Sequence, residues 1–194
     1  MFAVNLLDIH RPDGTINGHG LTLRFATMAD YKAWSTLREE SQNFLRPWEP
    51  TWYPNDLGKH AYKQRLKRYN REIHAGTGYP WLIFDRGNQQ LLGGITIGHI
   101  KRGVSQSGQI GYWVGARHAG KGVMGEALQL VVHHAFTRCG LNRLEAACIP
   151  TNERSVRLLL KSGFEQEGCA KSYLKINGQW RDHLLFARIN ANTE

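Results

Sequence analysis

Apolar positions along the chain alternate between a period of two and a helical period, which predicts a domain of mixed strands and helices. Leu21 to Phe25 alternates and predicts a first strand. Thr27-Met28-Ala29-Asp30 has the form of a capping box and opens a predicted helix carrying Tyr31, Trp34 and Leu37. Prolines at 47, 50 and 54 forbid a continuous helix, so Phe44 to Pro54 reads as an aromatic-rich loop. Tyr62, Leu66, Tyr69 and Ile73 form the apolar stripe of a second helix. Strands are predicted at Tyr79 to Phe84 and Leu91 to Ile100, divided by a turn at Arg86-Gly87-Asn88. Gln109 to Val114 is a further strand, and Met124, Ala127, Leu128, Val131 and Ala135 mark a helix ended by Gly140. Strand Arg143 to Ile149 and helix Asn152 to Ser162 follow. Asn177-Gly178 is a hairpin signal joining Ser172–Ile176 to Trp180–Arg188. Residues 1–20, with turns at Pro12-Asp13-Gly14 and Gly18-His19-Gly20, read as an extension. Residues 21–188 read as one α/β domain and residues 189–194 as a tail.

The chemistry is concentrated between the Gln109–Val114 strand and the helix after it, in Arg117-His118-Ala119-Gly120-Lys121-Gly122. A glycine-rich turn at a helix start offers unpaired N–H groups and the positive end of the helix dipole, and glycines let a pyrophosphate approach closely. Gly115 to Lys121 is a near miss to a nucleotide-hydrolysing P-loop, which needs Ser or Thr after the lysine to hold magnesium. Gly122 stands there instead, and the next strand ends without an aspartate for the metal. No G-x-G-x-x-G triplet for a dinucleotide is present.

Arg117-x-x-Gly120-x-Gly122 after a strand resembles the acetyl-CoA loop of the GCN5-related N-acetyltransferases (GNAT). Asn152-Glu153-Arg154-Ser155, followed by Lys161-Ser162-Gly163-Phe164, is similar to a second motif of that superfamily at the matching separation. Asn43 to Pro50 and Tyr173 to His183 carry a further likeness to its ribosomal-protein-alanine N-acetyltransferases, and the resemblance runs from about Leu21 to Arg188. It implies a mixed, mainly antiparallel sheet splayed around acetyl-CoA with flanking helices. It also implies a cofactor site at Tyr112, Trp113, Val114, Arg117, His118, Ala119, Gly120, Lys121, Gly122, Val123, Asn152 and Ser155. Asn152 suits a helix N-cap as well as a pantetheine contact.

Acetyl transfer to an amine needs an oxyanion donor, help for the departing thiolate and an exit for one proton. The strand before the glycine loop lends backbone donors in that superfamily, here Tyr112 to Val114. Many members place a tyrosine seven residues after the asparagine, where this chain has Leu159, which cannot donate. Ser155 matches the serine of the ribosomal-protein enzymes and is the candidate donor to the thiolate. An α-amine has a pKa near 7.7–8.0 against about 10.4 for lysine, so a modest base suffices. Glu49 is the candidate base or ammonium anchor, with Trp48 and Asp182 as further acceptor-site candidates. No Cys or Ser has a base at suggestive spacing, so direct attack in a ternary complex is expected rather than a covalent relay.

Composition narrows the remaining choices. The chain has 194 residues, enough for one domain with a sizeable core. No apolar run approaches the ~20 residues of a membrane span, and the first residues lack a basic leader segment, so a cytoplasmic protein is expected. Three widely spaced cysteines and an adjacent His133-His134 pair suggest neither a disulfide frame nor a metal site. The net charge of +9 does change the picture. Lys59, Lys63, Arg65, Lys67, Arg68 and Arg71 cluster on the second helix, as either a solvated face or a surface for RNA. A basic enzyme repels a free basic ribosomal protein, so charge favours a ribosomal particle as partner. The expected activity is acetylation of the N-terminal alanine of small-subunit ribosomal protein five. Another amine (polyamine, antibiotic or lysine) is the alternative within the fold, and an RNA- or ribosome-binding assembly factor is the rival from another class.

Overall fold

Strand-forming runs rich in aromatic and branched residues build an eight-stranded sheet in the order β1-β2-β3-β4-β5-β6-β8-β7, seen in a computed structural model that describes residues 14–191. The strands are β1 (Ile16–Asn17), β2 (Leu21–Phe25), β3 (Tyr79–Asp85), β4 (Leu91–Lys101), β5 (Ser107–Val114), β6 (Arg143–Cys148), β7 (Glu165–Ile176) and β8 (Gln179–Ile189). Five α-helices accompany them among the described residues: α1 (Tyr31–Glu40), α2 (Gln42–Leu45), α3 (Lys59–His74), α4 (Val123–Thr137) and α5 (Glu153–Lys161). All neighbouring pairs are antiparallel except β5 with β6. The mixed, mainly antiparallel sheet expected from the sequence is therefore observed.

The alternation along β3 distributes side chains to two cores. Trp81 and Ile83 join a core with Ile95, Ile97, Leu128 and Leu144 under α4. Leu82 and Phe84 face the other way and pack with Trp34, Leu37, Tyr62 and Leu66 of α1 and α3. A strand covered on both faces reads as a continuous apolar run, and β3 is buried from Tyr79 to Phe84. Gly93 and Gly94 of β4 are dictated by close approach. A Cβ at Gly93 would lie 2.4 Å from the Trp113 carbonyl oxygen, and one at Gly94 would lie 2.5 Å from Trp113 Nε1.

Three boundaries differ from the sequence expectation. Residues 42–48, expected within a loop from Phe44, continue as α2 and a 3₁₀ turn over Arg46–Trp48. Pro47 is accommodated there because the first turn of a helix needs no N–H donor at that position. β7 begins at Glu165, well before Ser172. Its first part is an exposed edge strand with register shifts and Ser172 at φ +46, so it lacks the apolar alternation that marks strands. The extension also contributes to the sheet. Ile16 pairs with Leu23, and Trp81 Nε1 donates to the Gly14 carbonyl at 2.7 Å. The Pro12-Asp13 part of the expected first turn lies outside the described residues. The capping box is present, with the Thr27 N–H and hydroxyl both donating to Asp30 Oδ2. No described helix is long and apolar enough to cross a membrane.

Candidate active site

The parallel pair β5–β6 stays together only from Ser107↔Arg143 to Gln109↔Glu145. Beyond it β5 continues to Val114 with β4 alone, and β6 continues to Cys148 with β8 alone. The two strands thus part, and alternate backbone groups of residues 110–114 face a gap instead of a neighbour. A gap edged by unpaired strand backbone suits an extended amide chain such as pantetheine, which can pair with it as another strand would.

The glycine loop lies at the end of β5. Gly120 and Gly122 have φ +76 and +80, and nothing lies within 4 Å of the place where either would carry a Cβ. Gly122 is the N-cap of α4 and offers no side-chain cap, while the first helical bond runs from Glu126 N–H to the Gly122 carbonyl. The N–H groups of Val123, Met124 and Gly125 have no acceptor within the helix, so the positive end of α4 opens on free space. The loop is braced from α1. Buried Ser41 accepts the Ala116 N–H at 2.9 Å, and Arg117 lies 3.2 Å from Glu40. His118 is buried and accepts from Arg117 Nε, and burial with the adjacent Arg117 and Lys121 charges holds its imidazole below the ordinary histidine pKa. Lys121 is exposed and has no acidic partner among the described residues.

Two hydroxyls meet at the gap. The Tyr112 phenol from β5 lies 2.7 Å from Ser155 Oγ, in the first turn of α5. Asn152 is the N-cap of α5, and its Oδ1 accepts the Ser155 N–H at 3.2 Å. Burial pushes the Tyr112 phenol up to about 12, so it keeps its hydrogen through the neutral range. Cys148 ends β6 beside Ser155, and burial raises its thiol, which makes it a poor nucleophile.

A cavity of about 380 Å³ lies on the α1–α3 side of the sheet. Its floor includes Gly94 and Gly111, and its walls include Arg38, Glu49, Trp52 and Arg65. Gly111 is exposed, with nothing within 4 Å of its Cβ position, so this stretch of β5 backbone is reachable from the cavity. The gap and the cavity therefore share β5.

Residues 20–165 match the family described as the acetyltransferase (GNAT) domain. The chain belongs to the GNAT acetyltransferase family. The [ribosomal protein uS5]-alanine N-acetyltransferase of Escherichia coli (strain K12) is 35% identical over 160 residues, covering 82% of this chain and 79% of that protein. The ribosomal-protein-S5-alanine acetyltransferase of Vibrio fischeri superposes with a TM-score of 0.87 at 28% identity, over 94% of this chain and all of that one. Mycobacterium smegmatis RimJ, solved in complex with CoA-disulfide, gives a TM-score of 0.85 at 33% identity, over 93% and 88% of the two chains. The protein is thus an acyltransferase with the GNAT fold.

Within this GNAT domain the acceptor candidates take up different positions. Glu49 does line the cavity, but its carboxylate is heavily engaged. Arg38 grips both oxygens at 2.8 and 2.6 Å, and Trp52 Nε1 donates to Oε2 at 2.8 Å. The Arg38 guanidinium lies 4.3 Å from the Trp52 ring and 4.9 Å from that of Trp113. The Glu49 carbonyl also accepts the Asn177 N–H of the β7–β8 hairpin. A carboxylate with roughly three of its four lone-pair sites taken is poorly placed to abstract a proton. The carboxylate instead anchors its own segment to α1 through Arg38, and the same engagement leaves it little capacity to hold an acceptor ammonium. Trp48 is exposed and Asp182 accepts from Lys171 and the Ser172 N–H, which holds its carboxyl below the usual range. Neither lines the cavity. Nothing in the local spacing of Arg38, Arg65 and Gly111 marks them in the sequence, and only the fold brings them to the site.

Glu49→Gln separates anchor from base. As an anchor, its loss strands the Arg38 cation, whose side chain is only 11% exposed. A loss of about 3 kcal/mol of stability is expected, with a raised acceptor KM and no alkaline recovery of rate. Thermal melts and pH–rate profiles of the same variant check this. An unchanged melting temperature with activity regained at high pH would make Glu49 the base.

Proposed function

We propose that this acyltransferase moves the acetyl group of acetyl-CoA to the N-terminal alanine of a small-subunit ribosomal protein, by direct attack in a ternary complex. The observation that carries the reading is the single strand β5, with the cofactor gap along one edge and the cavity over one face. An amine in the cavity would meet a thioester in the gap without a carrier residue. The 35% identity to the uS5-alanine enzyme supports the choice of acceptor. So does the chemistry of an α-amine, about a tenth of which is neutral at pH 7 and needs no strong base. Water can take its proton.

On this reading the pyrophosphate sits on the N–H groups at the start of α4, with Gly120 and Gly122 leaving it room and Lys121 adding charge. Pantetheine runs along residues 112–114 and past Asn152, and Ser155 donates to the departing sulfur. Acetyl-CoA should raise the melting temperature where ATP with magnesium does not, because Gly122 supplies no metal-binding hydroxyl. Intact-mass analysis of ribosomal proteins from cells lacking the enzyme identifies the acceptor as the protein short of one acetyl group. No change in any ribosomal protein would move the acceptor elsewhere.

A ribosomal particle, rather than free protein, is favoured by α3. Lys59, Lys63, Lys67 and Arg71 recur every four residues, are exposed and form no ion pair among the described residues. Reversing these four to glutamate should weaken binding to ribosomal particles and flatten its salt dependence, by a slope of about 0.7–0.9 for each phosphate no longer neutralised. Acetylation of an alanine-initiated peptide should be unchanged. Equal particle binding by the variant would mark the stripe as a solvated face.

A further inference from the structure

The departing thiolate is expected to be served by Ser155, and this inference rests on that reading. A serine hydroxyl has one hydrogen and free rotation about its Cβ–Oγ bond. Its usefulness depends on what turns the hydrogen toward the sulfur. Ser155 makes its shortest side-chain contact with the Tyr112 phenol at 2.7 Å, between groups 43 residues apart in the chain. One hydroxyl comes from β5 and the other from α5, just after β6. The bond therefore spans the gap where β5 and β6 have ceased to pair. Phenols are the better donors and aliphatic hydroxyls the better acceptors, which favours Tyr112 giving and Ser155 receiving. Leu159 is fully buried in the α4-side core and supplies nothing polar here.

We propose that Tyr112 is a positioning residue for acetyl transfer: its hydroxyl donates to Ser155 Oγ and so directs the serine hydrogen at the sulfur of the breaking thioester. The role commonly filled by one tyrosine on the helix is divided here between a strand tyrosine and a helix serine. In the step itself the amine lone pair forms the C–N bond, and the C–S bonding pair leaves with sulfur. The amine's proton passes to water and the thiolate is protonated from water. Ser155 and Tyr112 keep their own hydrogens and stabilise charge only. The Tyr112–Ser155 bond strengthens as charge grows on the sulfur, because each hydrogen bond in a chain polarises the next.

Tyr112→Phe removes the phenol oxygen and leaves the ring in place. Single-turnover rates with saturating acetyl-CoA and an alanine-initiated peptide should fall about 10–100-fold, at or below the scale of a lost oxyanion donor. Acetyl-CoA affinity, acceptor KM and melting temperature should stay near wild type. Because Tyr112 acts through Ser155, the Tyr112→Phe/Ser155→Ala double variant should be no slower than Ser155→Ala. A wild-type single-turnover rate for Tyr112→Phe, while Ser155→Ala is slow, would overturn the role of Tyr112 alone. Multiplying losses in the double variant would overturn it too, as would a defect confined to acetyl-CoA affinity. A wild-type rate for Ser155→Ala would instead sink the underlying assignment of the serine.

Discussion

Gly120→Val and Gly122→Val are each expected to abolish measurable acetyl-CoA binding in titration calorimetry while the domain stays folded. Both glycines have left-handed backbones, φ +76 and +80, which branched residues adopt only at a cost of about 1–3 kcal/mol. The second effect is larger. Nothing lies within 4 Å of either Cβ position, so a valine side chain projects into the space before the first turn of α4. A phosphate held there by two charge-assisted N–H bonds would lose about 3–6 kcal/mol, or roughly 150- to 20,000-fold in affinity. The strain is local to a surface turn, and α4 keeps Met124, Ala127 and Leu128 in the core. Far-UV spectra and melting curves should therefore show a folded domain. Unchanged affinity in both variants would remove the loop as the phosphate site.

Ser155→Ala is expected to lower kcat by about 10–1,000-fold with little change in acceptor KM, because a bond to a departing thiolate strengthens only as the C–S bond breaks. The substitution is clean in one respect. Asn152 caps α5 through the Ser155 backbone N–H, which alanine retains. It is costly in another, since the largely buried Tyr112 phenol loses its partner. Steady-state rates with an alanine-initiated peptide across pH 6–9 separate a rate defect from a binding defect. Wild-type rates would take serine out of the chemistry.

Much of this is legible in the sequence where the signal is local. The glycine spacing at 120 and 122, the Asn152 cap and the apolar stripe of α4 are each set within a few residues, and all three form. Strand β3 can be placed because both its faces are buried. Local signals fail where tertiary contacts decide. The first part of β7 is polar because it is an exposed edge, and α2 tolerates the nearby Pro47 because that residue falls in a first turn. The same limit applies to the site. Glu49 stands out in the sequence for its charge, but its engagement with Arg38 and Trp52 depends on how α1 and the loop pack. The Tyr112–Ser155 bond depends on the divergence of β5 from β6, which no spacing in the chain encodes.

The C-terminal end of α1 holds two things at once. Arg38 clamps Glu49 and lies between Trp52 and Trp113, while Glu40 and Ser41, immediately after it, brace Arg117 and Ala116. One helical turn is thereby common to the wall of the cavity and to the glycine loop. If the proposed sites hold, energetic linkage between the two ligands is the expected result of this shared support. If acetyl-CoA steadies that turn, the acceptor pays less ordering entropy, and by reciprocity the acceptor tightens the cofactor by the same factor. A binding cycle measured with acetyl-CoA and a non-reactive peptide should close with equal factors above one, and Arg38→Met should bring both toward unity. Independent binding in the wild-type protein would show that the turn transmits nothing.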